Sequence, residues 1–349
     1  MDLIQSGKQL EEQLPWQTRC RQSVKRCMGE VMRRPETRPV PLSNDALAEA
    51  AALLKAGELV AVPTETVYGL AADATNEDAV ARIYEVKGRP PANPLIAHVA
   101  SEQMAAHHAN FTSLAVEMTD AHWPGPLTLV LEGGAGLAEA VTAGLPTVAL
   151  RQPKGPMATL SAMLDCPLAA PSANRSGALS PTRAEHVAEG LGDRIAMILD
   201  AGSCEAGLES TIVKIAANKA TLLRPGPLSL ADLAQFNVKP ATGDGAVESP
   251  GTHFRHYAPS IPVRLNVTSV EDGEALIAFG APISANTSTF QLSRAEDLAE
   301  AAHNLFNALW QAERSGARAI AVQSVPETGI GAAINERLHR AAEGGGEAK

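Results

Sequence analysis

Lys87 and Arg89 are two permanent cations two positions apart, in the segment KGRPPANP at 87–94. They follow a run with helical apolar spacing. Gly88 and the three prolines Pro90, Pro91 and Pro94 stop that helix. Residues two apart in an extended segment share a side, so both cations are expected to face one way on a stiff loop. That control over charge suits a polyphosphate, whose oxygens need cations fixed where negative charge builds up.

Other polar groups stand at the ends of short apolar runs. PTETVYGL at 63–70 directly follows one, and its Thr64 and Thr66 can share a side; an ordinary strand-to-turn transition reads equally well there. His98 ends LIAH, where a satisfied core histidine is the commoner outcome, but the cationic loop precedes it by one short strand. Arg151 ends TAGLPTVALR, and its planar fork suits a carboxylate. Ser172 and Asn174, two apart in PSANRSGALSP, make a neutral pair suited to phosphate oxygens or a nucleotide, with Ser180 following. Ser210 in ESTIV opens a strand, and Arg224 in LLRPGP ends another as a third cation. WPGPL at 123–127 reads as rigid scaffold. Walker, GxGxxG, HExxH and GxSxG patterns are all absent. Polar pairs at strand ends, flanked by Pro or Gly, predict one open pocket built by several loops.

The elements that must position these groups follow from periodicity. Strands are predicted over 58–62, 94–99, 127–131, 147–150, 168–170, 195–199 and 211–215, and helices over 44–54 (N-cap Ser43), 76–86, 112–121, 157–164 and 183–191. Several strands sit too close together for crossover helices, so the sheet must be of mixed direction. The stretch 239–260 is rich in Gly, Pro, Ser and Thr and reads as a linker. Beyond it, strands over 262–265, 275–279 and 319–322 and helices over 298–314 and 330–342 make a small second α/β domain. The chain thus divides into a polar extension (1–40), a main domain (41–238), the linker (239–260) and a C-terminal domain (261–345).

Bulk properties bound the function. The 349 residues exceed one ordinary domain, and with 45% hydrophobic but 3% aromatic residues the cores must be mostly aliphatic. A net charge of −10 argues against wrapping nucleic acid by bulk electrostatics. Cys20, Cys27, Cys166 and Cys204 form no CxxC pair, which predicts a reduced, cytoplasmic setting without structural zinc or disulfides. No apolar run has membrane-spanning length.

The motifs PTETVYGLAADA, KGRPPANPLIAHV, WPGPLTLVL, TAGLPTVALR, APSANRSG, SPTRAE, ESTIV and LLRPGP, in this order across about 44–236, resemble the threonylcarbamoyl-AMP synthase family with its YrdC-type domain. GTHFRHYAP and the domain after it resemble the family's longer form. The resemblance implies an α/β fold, a twisted mixed sheet flanked by helices around a large concave positive cavity, with a smaller C-terminal α/β domain. It implies that L-threonine, bicarbonate and ATP give threonylcarbamoyl-AMP and pyrophosphate, and that a transferase then carries the group to tRNA. A direct tRNA contact and Mg2+ accompanying ATP belong to the same expectation. Carried over residue by residue, Lys87, Arg89, Ser172 and Asn174 are the ATP-site signature, with the first two catalytic. Ser180 and Arg224 match nucleotide contacts. Thr64, His98, Arg151 and Ser210 match threonine-binding positions. Tyr257 matches a linker residue that reaches back to the active site, and the segment with His256 and Tyr257 is the candidate lid. Two alternatives rank lower. A carbamoyl-transfer enzyme of the hydrogenase-maturation type needs zinc-finger cysteines that this chain lacks. A non-catalytic RNA-binding module fits poorly with the acidic charge and complete polar motifs.

Overall fold

The apolar runs become strands of one twisted mixed sheet in a computed structural model that describes residues 37–241, 257–284 and 287–346. In chain order they are β1 (Pro39–Pro41), β2 (Val60–Val62), β3 (Gly69–Asp73), β4 (Ile96–His98), β5 (Leu127–Glu132), β6 (Thr147–Arg151), β7 (Leu168–Ala169), β8 (Met197–Asp200), β9 (Thr211–Ala216), β10 (Lys219–Arg224) and β11 (Lys239–Pro240). Their order across the sheet is β1-β8-β2-β3-β7-β4-β6-β5-β9-β10-β11. The sheet mixes parallel pairs (β4 with β6, β5 with β9) and antiparallel ones (β2 with β3, β5 with β6), as the short connections require. Flanking helices are α1 (Asn44–Lys55), α2 (Glu77–Lys87), α3 (Glu102–Ala106), α4 (Ser113–His122), α5 (Glu139–Thr142), α6 (Pro156–Leu164) and α7 (Ala184–Leu191). Ser43 caps α1, accepting from the Ala46 amide, as expected.

A second sheet holds β12 (Val263–Arg264), β13 (Glu274–Phe279), β14 (Thr289–Ser293) and β15 (Ala319–Val322), in the order β12-β15-β13-β14 and all parallel. It packs with α8 (Leu298–Arg314) and α9 (Gly331–Gly344). Asp297 caps α8, and buried Ala301, Ala302, Leu305, Phe306, Ala308, Leu309 and Ala312 make its inward stripe. The same apolar cluster takes in Leu179 and Leu208 from the main sheet's loops, and Tyr257. The two layers are therefore joined by a shared core. Gly207 needs its missing side chain here, because a Cβ would come within 2.5 Å of the Ala302 carbonyl oxygen, and its φ is +70°.

Several expectations change. Residues 69–73, for which periodicity predicts no element, form β3 and pair antiparallel to β2. Pro39 and Val40 of the expected extension and Lys239 and Pro240 of the expected linker join the main sheet in β1 and β11. Helix α2 runs one residue further than its apolar period, so Lys87 is its last residue and Gly88, at φ 63°, is a left-handed C-cap. The two-apart rule for extended chain therefore does not apply to Lys87 and Arg89. Residues 1–36 of the expected extension and 242–256 of the expected linker, His256 included, lie outside the described residues. Among the described residues no helix is long and apolar enough to cross a membrane.

Candidate active site

Register explains why residues far apart in sequence meet. Parallel β4 and β6 place His98 beside Arg151. At the β9–β10 pair, Arg224 stands opposite Ile212, next to Ser210 at the head of β9. Ile96 and His98, alternate residues of β4, line one cavity together with Gly69 and Ala170. The cavity thus lies over a face of the sheet, with the loops after β2, α2 and β7 closing round it. Its volume, open mouth included, is about 530 Å³. Thr64, Arg89, His98, Arg151, Ser172, Ser210, Arg224 and Tyr257 all line it. Lys87, Asn174 and Ser180 do not.

At one end of the cavity Arg151 organises a chain of hydroxyls. Its Nη1 donates to Thr66 Oγ1 at 2.9 Å, Thr66 and Thr64 share a hydrogen bond of 2.8 Å, and Thr64 donates to the Val67 carbonyl at 2.7 Å. Each hydroxyl has one proton, so the sequence of donors runs from Arg151 outward. Arg151 Nε donates to the Gly125 carbonyl at 3.1 Å, which gives the WPGPL corner a part in the site that its scaffold reading missed. Arg151 Nη2 lies 2.8 Å from Glu65 Oε1. That contact is an ion pair whose angle falls short of a hydrogen bond, since both atoms lack hydrogen-bond partners.

His98 is buried, with Nδ1 unpartnered. Burial first, and the nearby Arg151 charge second, push it down to about 3. It is therefore uncharged around neutral pH. Between about pH 6 and 8 the affinity for a ligand held beside His98 is expected to stay flat, without the step an ordinary histidine would give. Binding titrations across that range check this; an inflection near the usual histidine value, lost in His98→Ala, would contradict it.

The other end is cationic. Arg89 donates from Nε to the Asn93 carbonyl (3.0 Å) and from Nη2 to Asn93 Oδ1 (2.7 Å) and the Pro94 carbonyl (2.8 Å). These bonds fix its fork and use none of the Nη1 donors. Burial lowers its guanidinium to about 10, so it remains charged. Arg224 reaches Ser210 through Nη2, to the carbonyl at 2.9 Å and Oγ at 3.1 Å. Ser210 Oγ also bonds Thr128 at 2.7 Å. This close approach depends on Gly226, where a Cβ would lie 2.5–2.7 Å from backbone atoms of Glu209, Ser210 and Thr211.

Behind the wall, Lys87 Nζ donates to the carbonyls of Ser172 (2.6 Å) and Asn174, and Ser172 Oγ donates to Asn174 Oδ1 at 2.6 Å. Burial and then Arg89 hold the Lys87 ammonium well below the usual lysine range. Ser180 does not line the cavity but donates to Oε1 of Glu209, which does. Asn93, Glu65 and Glu209 were not singled out from sequence. Asn93 sits four residues after Arg89 inside the most prominent motif, which was the available signal.

A family profile described as "Telomere recombination" (the Sua5, YciO and YrdC group) matches residues 52–226. A second, "Threonylcarbamoyl-AMP synthase, C-terminal domain", matches residues 228–343. The threonylcarbamoyl-AMP synthase of Pyrococcus abyssi is 39% identical over 316 residues, covering 84% of this chain and 92% of that one. That of Bacillus subtilis is 40% identical over 322 residues, covering 85% and 93%. The crystal structure of P. abyssi Sua5 complexed with L-threonine superposes with a TM-score of 0.81 at 34% identity, covering 90% of this chain and 100% of that one.

Proposed function

The chain belongs to the threonylcarbamoyl-AMP synthase family, and from that premise we propose how its cavity carries out the synthase reaction. The protein is an L-threonylcarbamoyladenylate synthase, a nucleotidyltransferase of tRNA modification. Threonine occupies the end formed by Thr64, His98 and Arg151 and reaches Ser210, which Arg224 holds at the border of the cationic end, and ATP lies across Arg89, Ser172 and Arg224. Lys87 and Asn174 hold the Ser172 loop, and Tyr257 closes the nucleotide end. What carries this reading is a carboxylate-binding fork and a cationic end in a single cavity. Ser180 supports the nucleotide end through Glu209 rather than by touching ATP.

Bicarbonate is the third substrate. The threonine amine attacks its carbon and water leaves, giving a carbamate. A carbamate oxygen then attacks the α-phosphorus of ATP, and pyrophosphate departs. Two anions must approach each other in that step, and Arg89, Arg224 and Lys87 offset the repulsion. Neutral His98 is suited to bonding the threonine amine or carboxylate without adding charge. No covalent nucleophile is needed.

Mg2+ is proposed only as a companion of the triphosphate. Among the described residues no cluster of three or more His, Cys, Asp or Glu comes together. The wall carboxylate, Glu209, is held by Ser180 and by Arg337. These residues do not fit a protein-held ion, and no step is routed through one. The product passes to a transferase that modifies tRNA, and the proposal includes a cytoplasmic location; the transferase, not a direct tRNA contact, is the partner it requires. The RNA-binding and hydrogenase-maturation readings are not favoured. Pyrophosphate release from ATP is expected only when L-threonine and bicarbonate are both supplied. Release that ignores either one refutes the reading.

A further inference from the structure

The C-terminal layer sends one side chain into the cavity wall of the main sheet. Arg337 on α9 is 0% exposed, a rare state for arginine unless it is paired. Its Nε donates to Glu209 Oε2 at 2.9 Å and its Nη2 to the Pro225 carbonyl at 3.0 Å. Nη1 bonds Glu336, and the guanidinium carbon lies 5.0 Å from the centre of the Tyr257 ring. Glu209 and Tyr257 line the cavity, and Pro225 follows Arg224.

We infer that Arg337 is a positioning residue for the nucleotide end of the cavity, coupling the docking of the C-terminal layer to ATP binding. This rests on the ATP site proposed above and adds a residue outside it. The reason lies in Glu209, a buried carboxylate on the wall of a cavity meant for a triphosphate. Arg337 and Ser180 occupy its two oxygens. Without Arg337 the carboxylate either faces the phosphates uncompensated or turns onto Arg224 and withdraws a cation from them. Both outcomes weaken ATP most; threonine, held chiefly by the Arg151 fork, feels them only through Ser210, which Arg224 bonds. The electrostatics agree. Burial alone would lower the Arg337 guanidinium, but Glu336, Tyr257 and Glu209 outweigh it and the net shift is upward. Burial lowers Arg224, and Glu209 is among the groups opposing that shift.

The test is calorimetric binding of a non-hydrolysable ATP analogue to the full chain, with KM values for ATP and threonine alongside. Arg337→Met is expected to weaken the analogue by at least about tenfold and raise the KM for ATP, with the KM for threonine moving less than about threefold. Adding Glu209→Gln is expected to recover most of the lost affinity, because the uncompensated charge is gone. Arg337→Lys keeps the charge without the fork and should fall between wild type and Arg337→Met; it also keeps the test readable if the methionine variant does not fold. Equal shifts in the two KM values, or strictly additive effects of Arg337→Met and Glu209→Gln, overturn the inference and leave Arg337 a structural anchor. The two possible failures are distinguishable. Wild type without threonine-dependent pyrophosphate release contradicts the proposed function. Normal wild-type turnover with unchanged analogue affinity in both Arg337 variants contradicts the role of Arg337 alone.

Discussion

Lys87→Ala is expected to cut threonine-dependent pyrophosphate release by about two orders of magnitude or more, the scale on which one preorganised charge acts at a developing anion. Two effects combine. The first is electrostatic. Lys87 is buried beside Arg89, and burial first and that neighbour second disfavour its charge. Phosphate entering next to Arg89 offsets the repulsion, so the ammonium is worth most when ATP is bound. The second is positional. Lys87 Nζ ties the Ser172 and Asn174 carbonyls to the end of α2. Alanine removes the donor to the buried Asn174 carbonyl, at about 1–3 kcal/mol for an acceptor left unsatisfied, while the Ser172 carbonyl keeps the Asn174 amide at 3.0 Å. The melting temperature therefore falls together with turnover, while the far-ultraviolet dichroism stays that of the wild type. Lys87→Arg should not restore activity, since a planar fork cannot replace a compact ammonium in a filled site. Near-normal turnover in Lys87→Ala would remove this residue from the machinery.

The order of elements was legible where apolar runs were long or closed by a charged residue. LIAH and TVALR gave β4 and β6, and with them His98 and Arg151. GLAAD did not give β3, because glycine and alanine carry little strand preference of their own. It becomes a strand because β2 pairs with it and Ser172 bridges Gly69 from the other side. Lys87 was misplaced onto the loop because the apolar period of α2 stops before it, although the left-handed Gly88 ends the helix only afterwards. Thr64 and Thr66 were recognised as a pair, but their order of donation depends on Arg151, 85 positions from Thr66. Arg337 left no local trace at all. A charged residue on a helix normally reads as surface, and its partner Glu209 lies 128 positions away. Sequence periodicity reports which face of an element is apolar. It does not report which buried charge finds a counter-charge on another layer.

Arg151→Ala is expected to raise the KM for threonine by about 30- to 100-fold, the loss of a buried charge-assisted carboxylate bond, and to change that for ATP by less than about threefold. The fork is shared among Thr66, the Gly125 carbonyl and the Glu65 carboxylate. The Glu65 contact has the right distance but poor direction, and Nη2 there lacks a hydrogen-bond partner. A substrate carboxylate that reaches Nη2 along the bond axis gains a hydrogen bond that Glu65 does not make. Glu65 Oε2 keeps the Lys154 amide at 3.1 Å throughout, so that side chain has somewhere to stay. Arg151→Lys retains the charge but not the planar fork, and should lie between wild type and alanine. The comparison that decides the point is the ratio of the two KM shifts. A ratio near one would show that Arg151 merely supports the fold around Thr66 and Gly125, and the carboxylate-binding role would have to move elsewhere in the cavity.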